Sequence, residues 1–165
     1  QFESMLSRHA PRGIEMKLSS MDEPGIPKDS FDYGASFHLA GYQEPLGGYR
    51  MPVPRPIVGP SSLDDFASVG GAGLCQRTWR QEMTEIRFNP IHPMMLPANV
   101  DQELPGGLGS YHASYASTAD GRLKVKRTLS LLANPVECDH QQQAELATLA
   151  AAVRADLAAE VEVQR

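Results

Sequence analysis

The sequence is short of cysteine, of surplus cations and of long apolar runs. No run of 18 apolar residues occurs in the 165, so no stretch reads as a membrane-crossing helix. The two cysteines, Cys75 and Cys138, are too few for a disulfide framework but sufficient for one bridge. Fifteen Lys plus Arg against 20 Asp plus Glu leave a net charge of −5. That leaves no cationic excess to neutralise phosphates, which argues against a nucleic-acid partner. No phosphate-binding P-loop, dinucleotide GxGxxG or nucleophile-elbow GxSxG occurs. The histidines (His9, His38, His92, His112, His140) show no HxxxH or HExxH spacing, so no metal or cofactor is expected. There is no glycosylation sequon, since Asn89 and Asn134 are each followed by Pro. The opening Gln1-Phe2-Glu3-Ser4 has no initiator Met, no basic n-region and no apolar h-region. It reads as mid-protein sequence, and the chain is expected to be a piece of something longer.

What is present is an ordinary globular composition. Apolar residues are 41% and charged residues 21%. A chain of this length buries roughly 70% of its unfolded surface. One β-rich domain over 1–165 is therefore expected. Fourteen Gly and 13 Pro suit short strands joined by turns.

Phe2, Met5, Leu6 and His9 fall at helical spacing, and Pro11 and Gly13 end that short helix. The first strands are expected within 14–42. Ile14, Met16 and Leu18 alternate with Glu15 and Lys17, and Phe31, Tyr33, Ala35, Phe37 and Leu39 share one face. Residues 43–78 are irregular, because Pro45, Pro52, Pro54, Pro56 and Pro60 exclude a central strand. Within them Pro52–Pro56 should be polyproline-like, and 61–66 offers one helical turn. The main strands are expected over 79–132. One covers 80–88, with 92–97 extending it. Another covers 109–118, with Tyr111, Ala113 and Tyr115 on one face. Asp120-Gly121 then marks a hairpin, and a third strand over 121–132 turns Leu123, Val125, Leu129 and Leu131 inward.

A helix over 139–159 follows. Asp139 and Gln142 form a capping box, and Leu146, Leu149, Ala150, Val153 and Leu157 make one apolar stripe. Val161-Glu162-Val163 adds a short closing strand. The fold class is therefore mainly β: an antiparallel sandwich of six to eight strands, a C-terminal helix packed on it and a short N-terminal helix.

One residue breaks the pattern. Arg127 sits on the apolar face between Val125 and Leu129, and a buried guanidinium needs a carboxylate. Glu82 is the expected partner in a structural ion pair, with Glu85 as second choice. An anion site is the sharper reading of the same arginine. For Cys75 there are three readings: a Cys75–Cys138 disulfide, free structural thiols, or a nucleophile with a histidine base. A disulfide would close a loop of about 62 residues, worth roughly 4 kcal/mol in the chain-entropy model. The segment after Cys75 leads into a strand rather than a helix, which does not favour a thiolate. Tyr42, Tyr49, Arg55, Phe66 and Trp79, with the Pro-rich stretch, are candidates for a peptide- or glycan-binding loop. Arg122, Lys124 and Lys126 read as a solvated strand face that discourages edge pairing.

The succession Cys75, Glu82, Leu96-Pro97, Tyr111, Tyr115, Gly121 to Arg127, Cys138 and Val153-Arg154-Ala155-Asp156-Leu157 resembles the C-terminal β domain of bacterial exported transglutaminase-like proteins. Met5 to His9, Arg12-Gly13 and Phe31-x-Tyr33-x-Ala35-x-Phe37 resemble the start of that region, so the resemblance covers nearly the whole chain. Those proteins carry an N-terminal domain of unknown function and a papain-like core that holds the catalytic Cys, His and Asp. Nothing in this chain resembles the Cys-bearing helix of that core. The resemblance implies no catalytic residue here, and export to the periplasm or cell surface, which suits a disulfide. The expected function is a non-catalytic accessory module docking on the transglutaminase-like core or on its protein substrate. The alternatives are a stand-alone binder of peptide or glycan through residues 42–66, and a thiol enzyme using Cys75.

Overall fold

Period-two alternation becomes paired antiparallel strands, most extensively over 77–87, 109–117 and 122–132. The computed structural model describes residues 14–21, 33–39, 48–53, 63–88, 92–134 and 138–164. The expected N-terminal helix, Tyr42 and Arg55 lie outside these residues. The chain groups into two compact units, residues 1–44 and 45–165.

The first unit contains the antiparallel pair β1 (Ile14–Met21) and β2 (Tyr33–Leu39). Its register shifts between Leu18 and Ser20.

The second unit holds two antiparallel sheets and a long helix. In chain order it runs β3 (Tyr49–Pro52), a short α1 (Leu63–Ser68), a 3-10 turn (Gly71–Leu74) and β4 (Arg77–Arg87). Then come β5 (Met94–Met95), β6 (Val100–Glu103), a second 3-10 turn (Pro105–Gly107), β7 (Gly109–Ser117) and β8 (Arg122–Leu132). Helix α2 (His140–Leu157) and β9 (Glu160–Val163) complete it. The larger sheet has the order β4-β8-β7-β6 and the smaller β3-β9-β5. The closing strand is thus the centre of the small sheet. Pro52, the one described proline of the 43–60 stretch, ends an edge strand.

The β7–β8 hairpin turns at Thr118 to Gly121. Gly121 N–H donates to Thr118 O at 3.0 Å, Thr118 N–H donates to Arg122 O at 2.9 Å, and Gly121 sits at φ 78°. This is a three-residue loop of the type I plus G1-bulge kind, in place of the expected two-residue turn.

The core lies on one face of the large sheet. Tyr111, Ala113 and Tyr115 of β7 and Leu123, Val125, Leu129 and Leu131 of β8 are buried. Their neighbours Lys124 and Lys126 face solvent. Helix α2 covers this face along β6 and β7. Its expected stripe of Leu146, Leu149, Ala150, Val153 and Leu157 is buried throughout. Each buried leucine contributes roughly 1.5–3 kcal/mol. The helix begins at the expected box: Asp139 accepts from Gln142 N–H at 2.8 Å, and Gln142 Oε1 accepts from Asp139 N–H at 3.2 Å. Gly109 permits a close approach of α2 to the sheet, because a Cβ there would lie 3.0 Å from Ser130 O and 3.3 Å from Leu149 Cδ2.

Candidate functional site

Alternation on β8 aims Arg127 into the core with the leucines, and it is 1% exposed. Asp156, in the last turn of α2, meets it there. Arg127 Nε donates to Asp156 Oδ2 at 2.7 Å, and Tyr111 Oη donates to the same oxygen at 2.6 Å. Tyr115 Oη donates to Asp156 Oδ1, and Arg127 Nη2 donates to Tyr115 Oη at 3.5 Å. The guanidinium carbon also lies 5.9 Å from the centroid of the Tyr115 ring. Burial works against the charge on Arg127, but the hydrogen bond and attraction of Asp156 outweigh it, and its pKa is raised. Burial, then the hydrogen bond to Asp156, pushes Tyr111 far above the ordinary tyrosine range. The same two causes push Tyr115 up to about 12. Both phenols therefore stay neutral donors. The four groups satisfy one another and fasten the sheet to the helix.

The expectation of Glu82 as the partner of Arg127 is corrected in its carboxylate. Glu82 is the direct cross-strand neighbour of Arg127, on the face reasoned for it. However, Glu82 Oε1 accepts from Leu63 N–H at 3.4 Å, and the ion pair on Arg127 is with Asp156. The helix lies over the face onto which Arg127 points, and so delivers an acid from above rather than alongside. Glu85 falls on the opposite face. There it pairs with Arg122 at 2.6 Å and Lys124 at 3.5 Å, and the Arg122 hydrogen bond holds its pKa below the usual carboxylate value. Asp156 was missed by sequence reasoning. The signal for it was its position, three residues after Val153 and seven after Leu149, on the apolar stripe.

Cys75 and Cys138 are joined, with a Cα–Cα distance of 6.0 Å. The bridge ties the residue after the 3-10 turn to the residue before the N-cap of α2. The sulfur of Cys75 is thereby committed to a bond, and the thiol-enzyme alternative loses its nucleophile.

Of the residues expected to form a binding loop, Tyr49, Phe66 and Trp79 are among those described. Phe66 is 3% exposed within the core, so the core has taken up its ring. Tyr49 packs half-buried on β3. Trp79 lies on β4 and is 62% exposed.

The outward face of the large sheet carries the polar chemistry. Register places Gln81, Thr128, His112 and Asp101 on one rung, and Trp79, Ser130, Ser110 and Glu103 on another. His112 Nδ1 and Asp101 Oδ1 are 2.7 Å apart. Beside them, Arg87, Arg122, Lys124 and Lys126 form a basic strip across β4 and β8, in a chain whose net charge is −5. Among the described residues no group of three or more His, Cys, Asp or Glu could hold a metal ion. Among the same residues no helix is long and apolar enough to cross a membrane. A shallow depression of about 230 Å³ between α1 and α2 is lined by Asp64, Ala67, Ser68, Arg154, Leu157 and Ala158.

No protein-family model, curated protein or solved structure matches the chain.

Proposed function

We propose that this chain is a non-catalytic accessory module of an exported protein, which docks on a protein partner through the outward face of its large sheet. One contrast carries the reading. The groups best suited to chemistry are spent on holding the fold: the two sulfurs bond to each other, and Arg127, Tyr111 and Tyr115 all donate to Asp156 in the core. The groups best suited to recognition face outward, as a basic strip with exposed Trp79 and Met83 beside it. Tryptophan, methionine and arginine are the residues enriched at protein interfaces. A disulfide suits an oxidising compartment outside the cytosol. The resemblance drawn from the sequence supplies the partner class, a transglutaminase-like core or its protein substrate.

The test is isothermal titration of the chain with a purified bacterial transglutaminase-like catalytic core. Saturable binding, weakened at least about tenfold by K124E/K126E, is the expected result. An absence of heat, or equal binding by the variant, would refute this docking mode.

A further inference from the structure

The large sheet ends at β4, which pairs with β8 on one side and with no strand on the other among the described residues. It is a long edge, Arg77–Arg87, whose pairing with β8 is unbroken and which contains no proline or bulge. Natural sheets usually blunt such an edge, since it offers a row of backbone donors and acceptors to any passing strand. Here the side chains on the edge are complementary to themselves. We propose that β4 is the contact surface for a second copy of this chain, the two β4 strands pairing antiparallel about a two-fold axis at Gln81 to make one continuous eight-stranded sheet.

The register follows from the sequence of the strand. A two-fold axis perpendicular to the sheet sets outward residues against outward residues and inward against inward. Centred on Gln81, Arg77 meets Glu85 of the second copy, Trp79 meets its Met83, Gln81 meets itself, Arg80 meets Glu82 and Thr78 meets Thr84. Each of these pairs occurs twice, except the Gln81 pair, which lies on the axis and occurs once. Opposite charges, an aromatic against an apolar side chain, and Thr against Thr are the favourable cross-strand combinations. The neighbouring registers fail. Centring on Arg80 or on Glu82 puts like charges face to face at the axis, and centring on Glu82 also sets Arg77 against Arg87. Two of the four large apolar side chains that stand exposed, Trp79 at 62% and Met83 at 69%, are covered by each other in this arrangement. The charges that would repel a foreign strand thus select one partner in one register. An isologous contact of this kind closes at two copies and leaves β6 as the outer edge on both sides.

The test compares two double variants at the same exposed positions. W79K/M83K sets lysine against lysine across the axis, whereas W79K/M83E sets lysine against glutamate. Sedimentation equilibrium is run at up to about 0.5 mM chain, where weak standard-size contacts are populated. Far-UV circular dichroism verifies the fold of each variant. The wild type should be dimeric, W79K/M83K should raise the dissociation constant at least about tenfold, and W79K/M83E should stay within about tenfold of wild type. Hydrogen exchange should show concentration-dependent protection confined to amides between Arg77 and Glu85. A monomeric wild type, equal behaviour of the two variants, or protection elsewhere would overturn the proposal. The test does not involve Lys124 or Lys126, so its failure and that of the docking function are separately visible.

Discussion

Replacing Asp156 with Asn tests what holds the helix to the sheet. The substitution keeps the shape of the side chain and one oxygen acceptor but removes the charge opposite Arg127, which is 1% exposed. A buried guanidinium stripped of its partner costs about 3–5 kcal/mol. Asp156→Leu also removes the acceptor of Tyr111 and Tyr115, each hydroxyl adding roughly 1–3 kcal/mol of unmet hydrogen bonding, with overlap between terms. Against a typical total of about 5–15 kcal/mol, the Leu variant should stand at the limit of folding. Removing both charges as R127M/D156L should recover much of the loss. Adding Y111F and Y115F should bring the protein within about 2 kcal/mol of wild type, because a shape-matched apolar set replaces a satisfied polar one. Urea melts followed at 222 nm report directly on the α2 helix, and Trp79 fluorescence is unsuitable because that side chain is 62% exposed. Unchanged slopes would confirm that only stability moved. A loss below about 1 kcal/mol in D156N, or a double variant as unstable as the sum of its singles, would refute the coupling.

Two further outcomes follow from the same core. In a spectrophotometric titration at 295 nm, Tyr111 and Tyr115 should ionise above the ordinary range, and Y115F should remove the transition at about pH 12. The folded pKa of Tyr115 is raised, so its stabilisation is intact below about pH 10 and is lost as pH rises toward about 12, by roughly 3 kcal/mol from this residue. Dithiothreitol, or C75A/C138A, should lower stability by about 4 kcal/mol for a bridge spanning 63 positions, and iodoacetamide should label nothing before reduction. Labelling of the untreated native protein would contradict the bridge.

The elements legible beforehand are those whose evidence is local. Strict alternation marked β7 and β8, and the stripe from Leu146 to Leu157 with its Asp139–Gln142 box marked α2. The elements that escaped are held by distant partners. β6 is four polar-leaning residues, Val100–Glu103, and is a strand only because β7 lies beside it. β9 was expected as a short closing strand, and only its place at the centre of a sheet escaped, because residues 49–52 and 94–95 flank it from far away in the chain. The polar cluster was half legible for the same reason. Arg127 announced itself by standing among leucines on a strand, whereas Asp156 on an alanine-rich helix looks like any solvated acid until the partner beneath it is known. Phe66 was read both as part of a helical turn over 61–66 and as a binding-loop candidate; the helix formed, and its ring went into the core.

Helix α2 is secured at both extremities by different means. A covalent bond grips the residue just ahead of its cap, and a charged pair grips its final turn. A helix normally loosens from its tips, one coil at a time. Held in this way, it has no tip from which to peel, so it leaves the sheet whole or stays. An oxidised environment keeps the covalent grip shut, which makes the rigidity of this helix depend on redox conditions as much as on how it is built.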